Sequence, residues 1–265
     1  MKSFAFLILI FLLASCEEIT EWPANETITP RLVVEGFLTN NPDLNYVRLS
    51  LPVSSPNHDP VPVKGAAVVL ISANASVLLT ESTEEAGYYS PESPVSGVVG
   101  EGYRLYISLG QYEFISEAVW MLPVYETKDL RYYEIETEPG YYLINPVESN
   151  EASFIKYHVK YENPELANDT IQKLFYSYTL RTVDVNQFFK PDSETLIFPV
   201  GAMVIRTKYS LAPDHERYIR SLLSETEWKG GWFDLSPGNL QSNMSEGAVG
   251  YFGACSVLRD TVYLQ

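Results

Sequence analysis

Apolar and polar residues alternate along much of this chain. Within residues 45–51, Val47, Leu49 and Leu51 fall on one side and Tyr46, Arg48 and Ser50 on the other. That is the two-residue period of a strand with one buried face. Residues 103–109 repeat the pattern, 31–38 are β-branched and apolar, and 66–72 form a more continuous apolar run, as expected of a buried strand. Residues 77–80, 87–89 and 112–116 add shorter candidates, with Gly, Pro and Asn punctuating the gaps. About seven short strands between residues 31 and 120 predict a β-sandwich rather than parallel strands with crossover helices.

The texture changes near Pro123, which places a second β-rich domain over residues 121–265. Strand patterns run over 130–136, 141–144, 152–161, 172–183 and 196–209, the last interrupted at 199–201, and a closing strand pair is expected around 250–264. One helix stands out near 213–228. Pro213, Asp214 and Glu216 suit a helical first turn, where exposed amides favour acids. Tyr218, Ile219, Leu222 and Leu223 share one helical face, and Gly230-Gly231 ends the pattern. The fold class expected is mainly β, a sandwich followed by a β-rich domain with one clear α-helix.

The amino terminus has a different character. After Lys2, residues 4–13 are uninterrupted apolar side chains. Ten such residues are too few to cross a bilayer as a helix, which takes about 20, but they fit the core of a secretory signal. Leu13-Ala14-Ser15-Cys16 follows and resembles the bacterial lipobox, in which Cys16 is acylated after cleavage. Residues 1–15 are thus read as signal peptide and 16–30 as a lipidated tether, acidic through Glu17, Glu18 and Glu21. The acidic cluster resembles an export signal to the outer face of the outer membrane.

Charge then narrows the partners. The 265 residues carry 34 acids against 18 Lys and Arg, a net charge of −16. Nucleic-acid binding depends on neutralising phosphates and is disfavoured. So is binding to an anionic lipid surface.

Few residues offer chemistry. His58, His158 and His215 have no second ligand at metal spacing, so ordinary polar positions are expected and no metal. Ser153 and Lys156 match an S-x-x-K pattern, but in a strand residues three apart face opposite ways. Residues 97–102 are glycine-rich without being a phosphate loop, and the acids around 168–194 lack calcium-loop spacing. Cys255 has no partner thiol and is read as a small hydrophobe. No enzyme activity and no cofactor are expected. The doublets Tyr88-Tyr89, Tyr132-Tyr133 and Tyr141-Tyr142 must each turn one ring away from a core if they lie in strands. Trp228, Trp232 and Phe233, beside the glycines after the helix, are the candidate partner-contact surface.

An ordered set of short segments carries a family resemblance. Pro30-Arg31-Leu32-Val33-Val34-Glu35-Gly36 precedes Pro62-Val63-Lys64-Gly65-Ala66-Ala67-Val68, then Gly87-Tyr88-Tyr89 and Gly102-Tyr103-Arg104-Leu105. Ser242-Asn243-Met244 and Gly250-Tyr251-Phe252-Gly253 close the series. Behind a lipobox, this resembles the Bacteroidota lipoproteins catalogued as domain of unknown function 4249. The first half also resembles immunoglobulin-like or prealbumin-like sandwiches. The family resemblance implies an accessory lipoprotein of a TonB-dependent outer-membrane receptor, without catalytic residues to carry over. A surface adhesin, or a hydrolase whose carboxylates meet only in the fold, would fit the same sequence.

Overall fold

Residues 31–53, 58–146, 149–163, 169–181, 195–228 and 240–265 are described by the computed structural model. The strands are β1 (Leu32–Thr39), β2 (Tyr46–Leu51), β3 (Val61–Pro62), β4 (Ala67–Ser72), β5 (Ser76–Glu81), β6 (Tyr88–Pro91), β7 (Gly102–Leu109), β8 (Tyr112–Ile115) and β9 (Val119–Trp120). There follow β10 (Arg131–Ile135), β11 (Glu138–Asn145), β12 (Ser153–Glu162), β13 (Thr170–Thr179), β14 (Ile197–Pro199) and β15 (Met203–Ser210). Helix α1 (Pro213–Glu225) precedes β16 (Ala248–Cys255) and β17 (Val257–Tyr263). The protein is mainly β, with several sheets and one α-helix among the described residues.

Alternation builds the first sheet, ordered β16-β1-β2-β6-β5-β4-β7-β8, with β3 on β2 and β9 on β7. Leu32, Val34 and Leu38 of β1, Val47 and Leu49 of β2, and Tyr103, Leu105 and Ile107 of β7 point inward, while Leu51 at the end of β2 is exposed. Ser116, just past β8, bridges Met244, just before β16, so the two ends of the sheet approach each other. The sheet thereby wraps one apolar core that includes Leu49, Val68, Leu105 and Ile107. Two smaller sheets, β10-β11-β14 and β13-β12-β15-β17, enclose a second core of Ile144, Phe198, Tyr157, Val159 and Val204.

The break expected at 199–201 is a turn between β14 and β15, with Gly201 at φ +81°. Ser153 and Lys156 lie in β12, not on a helix.

Two expectations about the carboxyl-terminal part are corrected. First, β16 does not belong with residues 121–265 but completes the first sheet, running parallel to β1 with Glu35 beside Tyr251. Second, β16 and β17 do not pair with each other. At Ser256 the chain leaves the first sheet, and β17 pairs antiparallel with β15 in the third. A division at 120/121 therefore cuts through shared structure. Apolar patterning along β16 is equally compatible with either sheet, so only long-range register decides the partner. Gly250 fits this junction because its φ is +114° and a Cβ would stand 1.9 Å from the Val34 carbonyl oxygen.

Candidate functional site

The outer face of the first sheet becomes unusual where β16, β1, β2 and β6 run together. Their registers set Tyr251, Glu35, Arg48 and Tyr88 side by side on four successive strands. The neighbouring row holds Gly253, Phe37 and Tyr46. The Tyr46 hydroxyl donates to Glu35 Oε1 at 2.6 Å, and its ring stacks on Tyr88 with centroids 5.5 Å apart.

Helix α1 covers the β16 side of this face. His215 stacks on Tyr251 at 4.5 Å, and Tyr218 stacks on the same ring at 4.9 Å. Gly253 leaves room for the imidazole, because a Cβ there would come within 2.7 Å of His215 Cε1. From the third sheet, Phe154 and Tyr209 stack at 4.4 Å and both approach Phe37. Aromatic rings thus join the two halves along a seam, capped beneath α1 by Leu223, Trp228, Cys255 and Val257.

The rim of the seam stays open to solvent. Glu35 is exposed, Tyr176 on β13 is 42% exposed, and Tyr46, Tyr88 and Tyr218 are half-buried. Burial, and after it the Glu35 charge, pushes the phenols of Tyr46 and Tyr176 up and that of Tyr218 up to about 12. Tyr88 moves the same way through burial, Glu85 and Glu35. The Glu35 charge thus acts on four phenols, from β2, β6, β13 and α1, of which Tyr46 bonds to it directly, and all remain protonated at neutral pH. Beside them Arg48 faces Glu85 at 3.7 Å. The arrangement offers flat apolar faces, hydroxyl groups and both signs of charge on one surface.

Beneath the rim, His215 and Cys255 form a pair that spacing did not reveal. Cys255 Sγ lies 3.6 Å from His215 Nδ1, and both residues are buried. Burial lowers the imidazole to about 3 and pushes the thiol well above its usual range. A neutral thiol beside a neutral imidazole is a packing contact, not an activated nucleophile. The ordinary polar position expected for His215 is thus corrected. Its ring is buried because Gly253 opens a slot for it in β16.

A second polar cluster holds the segment that links the halves. Arg206, Lys208 and Ser210 alternate along β15 and are all buried. Arg206 donates to the Lys128 carbonyl at 2.9 Å and pairs with Asp260. Lys208 donates to the carbonyls of Tyr125 and Glu126 at 3.1 and 3.4 Å and pairs with Glu151. Ser210 and Ser256 both donate to the Leu122 carbonyl. Three partners use all three donors of the Lys208 ammonium, so it is a clamp and not a free amine. An open cleft of about 380 Å³ beside it is lined by Tyr125, Glu126, Lys128, Ser149, Asn150 and Glu151.

The sequence-derived contact residues fare differently. Cys16, Trp232 and Phe233 lie outside the described residues. Trp228 is only 5% exposed and packs in the core under α1, with its amide bonded to the Leu223 carbonyl at 2.9 Å. It is corrected from contact surface to core, because the turn after α1 folds it back. The Tyr132-Tyr133 doublet does split, Tyr133 being 53% exposed while Tyr132 packs edge-on against Tyr142. Among the described residues no group of three or more His, Cys, Asp or Glu is placed to hold a metal, and no helix is long and apolar enough to cross a membrane. Sequence reasoning missed Glu35, Tyr46, Tyr176 and Tyr218. The available signal was Tyr46 on the polar side of a cleanly alternating strand.

The family model described as "Domain of unknown function (DUF4249)" matches residues 18–261. No curated protein and no solved structure matches the chain.

Proposed function

The chain belongs to the DUF4249 family, and from that premise we propose that it is a non-enzymatic outer-membrane lipoprotein, anchored through Cys16, that docks on a TonB-dependent receptor and assists capture or entry of its substrate. The tyrosine rim around Glu35 carries the docking part of this reading. Tyrosine supplies large contact area with little rotamer entropy to lose, and its hydroxyl can still pair at the edge of an interface. Glu35 gives the rim a place for a basic side chain of a receptor loop. The signal-like residues 1–15, followed by Cys16 and an acidic tether, support the anchor and the compartment.

The test is capture of the tagged full chain from its native membrane in mild detergent, followed by mass spectrometry. A TonB-dependent receptor should be recovered in stoichiometric amount. Glu35→Lys and Tyr176→Ala, both at exposed positions, should reduce that recovery while the protein stays anchored. Recovery of the anchored protein without a receptor would overturn the transporter role and favour the adhesin reading. Receptor recovery that both variants leave unchanged would move the docking surface away from the seam.

A further inference from the structure

A separate aromatic feature lies on the first sheet, on β4, β7 and β9. Trp120 is 58% exposed. Its register partner on β7 is Gly102, and a Cβ built there would lie 3.3–3.4 Å from indole Cε2, Cδ2 and Cζ2. Near-equal distances to three ring atoms put the glycine under the flat of the indole. One indole face rests on backbone and the other meets solvent.

The backbone around the ring is tied by hydrogen bonds. Gly100 donates its amide to the Met121 carbonyl at 2.8 Å, and the Met121 amide donates to the Glu101 carbonyl at 3.0 Å. The Tyr103 hydroxyl accepts from the Val98 amide at 2.8 Å and donates to Glu101 at 3.1 Å. The glycine-rich stretch noted in the sequence is therefore a strapped turn that fixes one wall of the site. Such preorganisation removes an ordering cost that binding would otherwise meet.

The open cleft beside the indole has a volume of about 420 Å³ and includes Asn74, Glu101 and Arg104 in its lining. That volume lies within the range of small-molecule sites, roughly 300–1,000 Å³. Arg104 brings only donors, Glu101 only acceptors, and Asn74 both. A phosphate would need donors alone and an ammonium acceptors alone. An apolar ligand would need enclosure that an open cleft does not give. Hydroxyl groups donate and accept, and a sugar ring presents them at its edge around an apolar face of C–H groups. The net charge of −16 further disfavours an anionic ligand.

We propose that this cleft binds a neutral pyranose ring of an oligosaccharide, with Trp120 as the stacking platform and Asn74, Glu101 and Arg104 as hydroxyl partners. The proposal does not rest on the seam or on the receptor, so either reading can fail alone.

The experiment is calorimetric titration of the full chain, in a detergent without a sugar headgroup, against a panel of neutral linear hexasaccharides of glucose, mannose, xylose and N-acetylglucosamine. At least one member should bind, and its emergence should coincide with a change in tryptophan fluorescence. Trp120→Ala should weaken that binding by roughly tenfold or more, the factor that about 1.4 kcal/mol represents. Trp120→Phe should restore part of it, and Arg104→Ala should weaken it severalfold. Tyr112→Ala, at another exposed aromatic position on β8, should leave it unchanged. Because Trp120 is exposed, thermal unfolding of its variants should match the parent. If no member of the panel binds the folded parent, the proposal is overturned. Binding that survives Trp120→Ala overturns the assignment equally.

Discussion

The inside of the first sheet and the seam beside it are both buried and are packed by different rules. Inside the sheet, Leu49, Val68, Leu105 and Ile107 are fully buried and apolar. Each follows from its own strand's alternation. At the seam and its clamp the buried residues include Arg206, Lys208, His215 and Glu216. Arg206, Lys208 and His215 meet partners far away in the chain, and Glu216 accepts from the distant Arg181 amide as well as pairing with Arg220 one turn along α1. The first region tolerates exchange of one apolar shape for another of similar volume. The second depends on pairing, because a buried polar group left alone is destabilising. The difference implies that acid and single polar substitutions should strike the seam, while cavity-forming substitutions strike the sheet.

The largest effect is expected at Lys208. Replacing it with Met leaves Glu151 without its cation and the carbonyls of Tyr125 and Glu126 without that donor, and breaking a buried pair from one side is destabilising by about 3–5 kcal/mol. Leu105→Ala in the sheet should be destabilising by a similar amount, about 2–5 kcal/mol, through its cavity. Denaturant unfolding at several pH values separates the two. Burial works to raise the Glu151 carboxyl, but the Lys208 hydrogen bond and charge, with hydrogen bonds from Ser149 and the Tyr125 backbone, outweigh it and the net shift is downward. A lowered carboxyl contributes stability above its unfolded value near 4.5, and that stability is lost as pH falls toward the folded value. The parent and Leu105→Ala should share that acid loss, and Lys208→Met should lack the Glu151 part of it. Identical acid profiles for Lys208→Met and the parent would mean that the clamp does not hold Glu151.

What the sequence made legible follows the same line. Strands 45–51 and 103–109 were readable because their period is local, and the helix near 213–228 because its apolar face and first turn are local. The strand pairing of β16 was not, since residues 250–255 carry the same apolar signal whichever sheet receives them. Nor were the members of the seam. Glu35, Tyr46, Tyr176 and Tyr218 come from β1, β2, β13 and α1, and nothing in their spacing announces that they meet. His215 read as an ordinary polar first-turn residue because the slot that buries it is made by Gly253, 38 positions later. Trp228 shows the opposite error, an aromatic next to glycines that looked like surface and is core.

His215 sharpens the comparison at milder pH. Its imidazole is lowered from 6.5 to about 3 by burial. Below 6.5 the unfolded chain takes up a proton that the folded chain refuses, so stability present at neutral pH drains away as pH falls through that window. One pKa unit corresponds to about 1.4 kcal/mol, which gives about 2 kcal/mol lost between pH 6.5 and pH 5. His215→Gln should be less stable at pH 7 through poorer packing, yet its stability should vary less across this range. No sheet-core variant should flatten the profile. Equal slopes in His215→Gln and the parent would show that another group is titrating.

The smallest effect on stability is expected at the rim. Tyr46→Phe keeps the ring stacked on Tyr88 and removes only the hydroxyl that donates to Glu35. A typical hydrogen bond contributes about 0.5–1.5 kcal/mol net, and the exposed carboxylate can turn to water, so the change should lie near the bottom of that range. Glu35 would then lose the contact that fixes its position and face solvent as a mobile charge. If the rim serves recognition, receptor capture should fall more than stability does, because a partner's basic side chain would have to order Glu35 on binding. Comparing unfolding and capture in this one variant therefore distinguishes two uses of the same bond. A loss confined to stability would make the rim part of the packing of the seam. A loss confined to capture would place recognition at Glu35, which the Tyr46 hydroxyl holds at the rim.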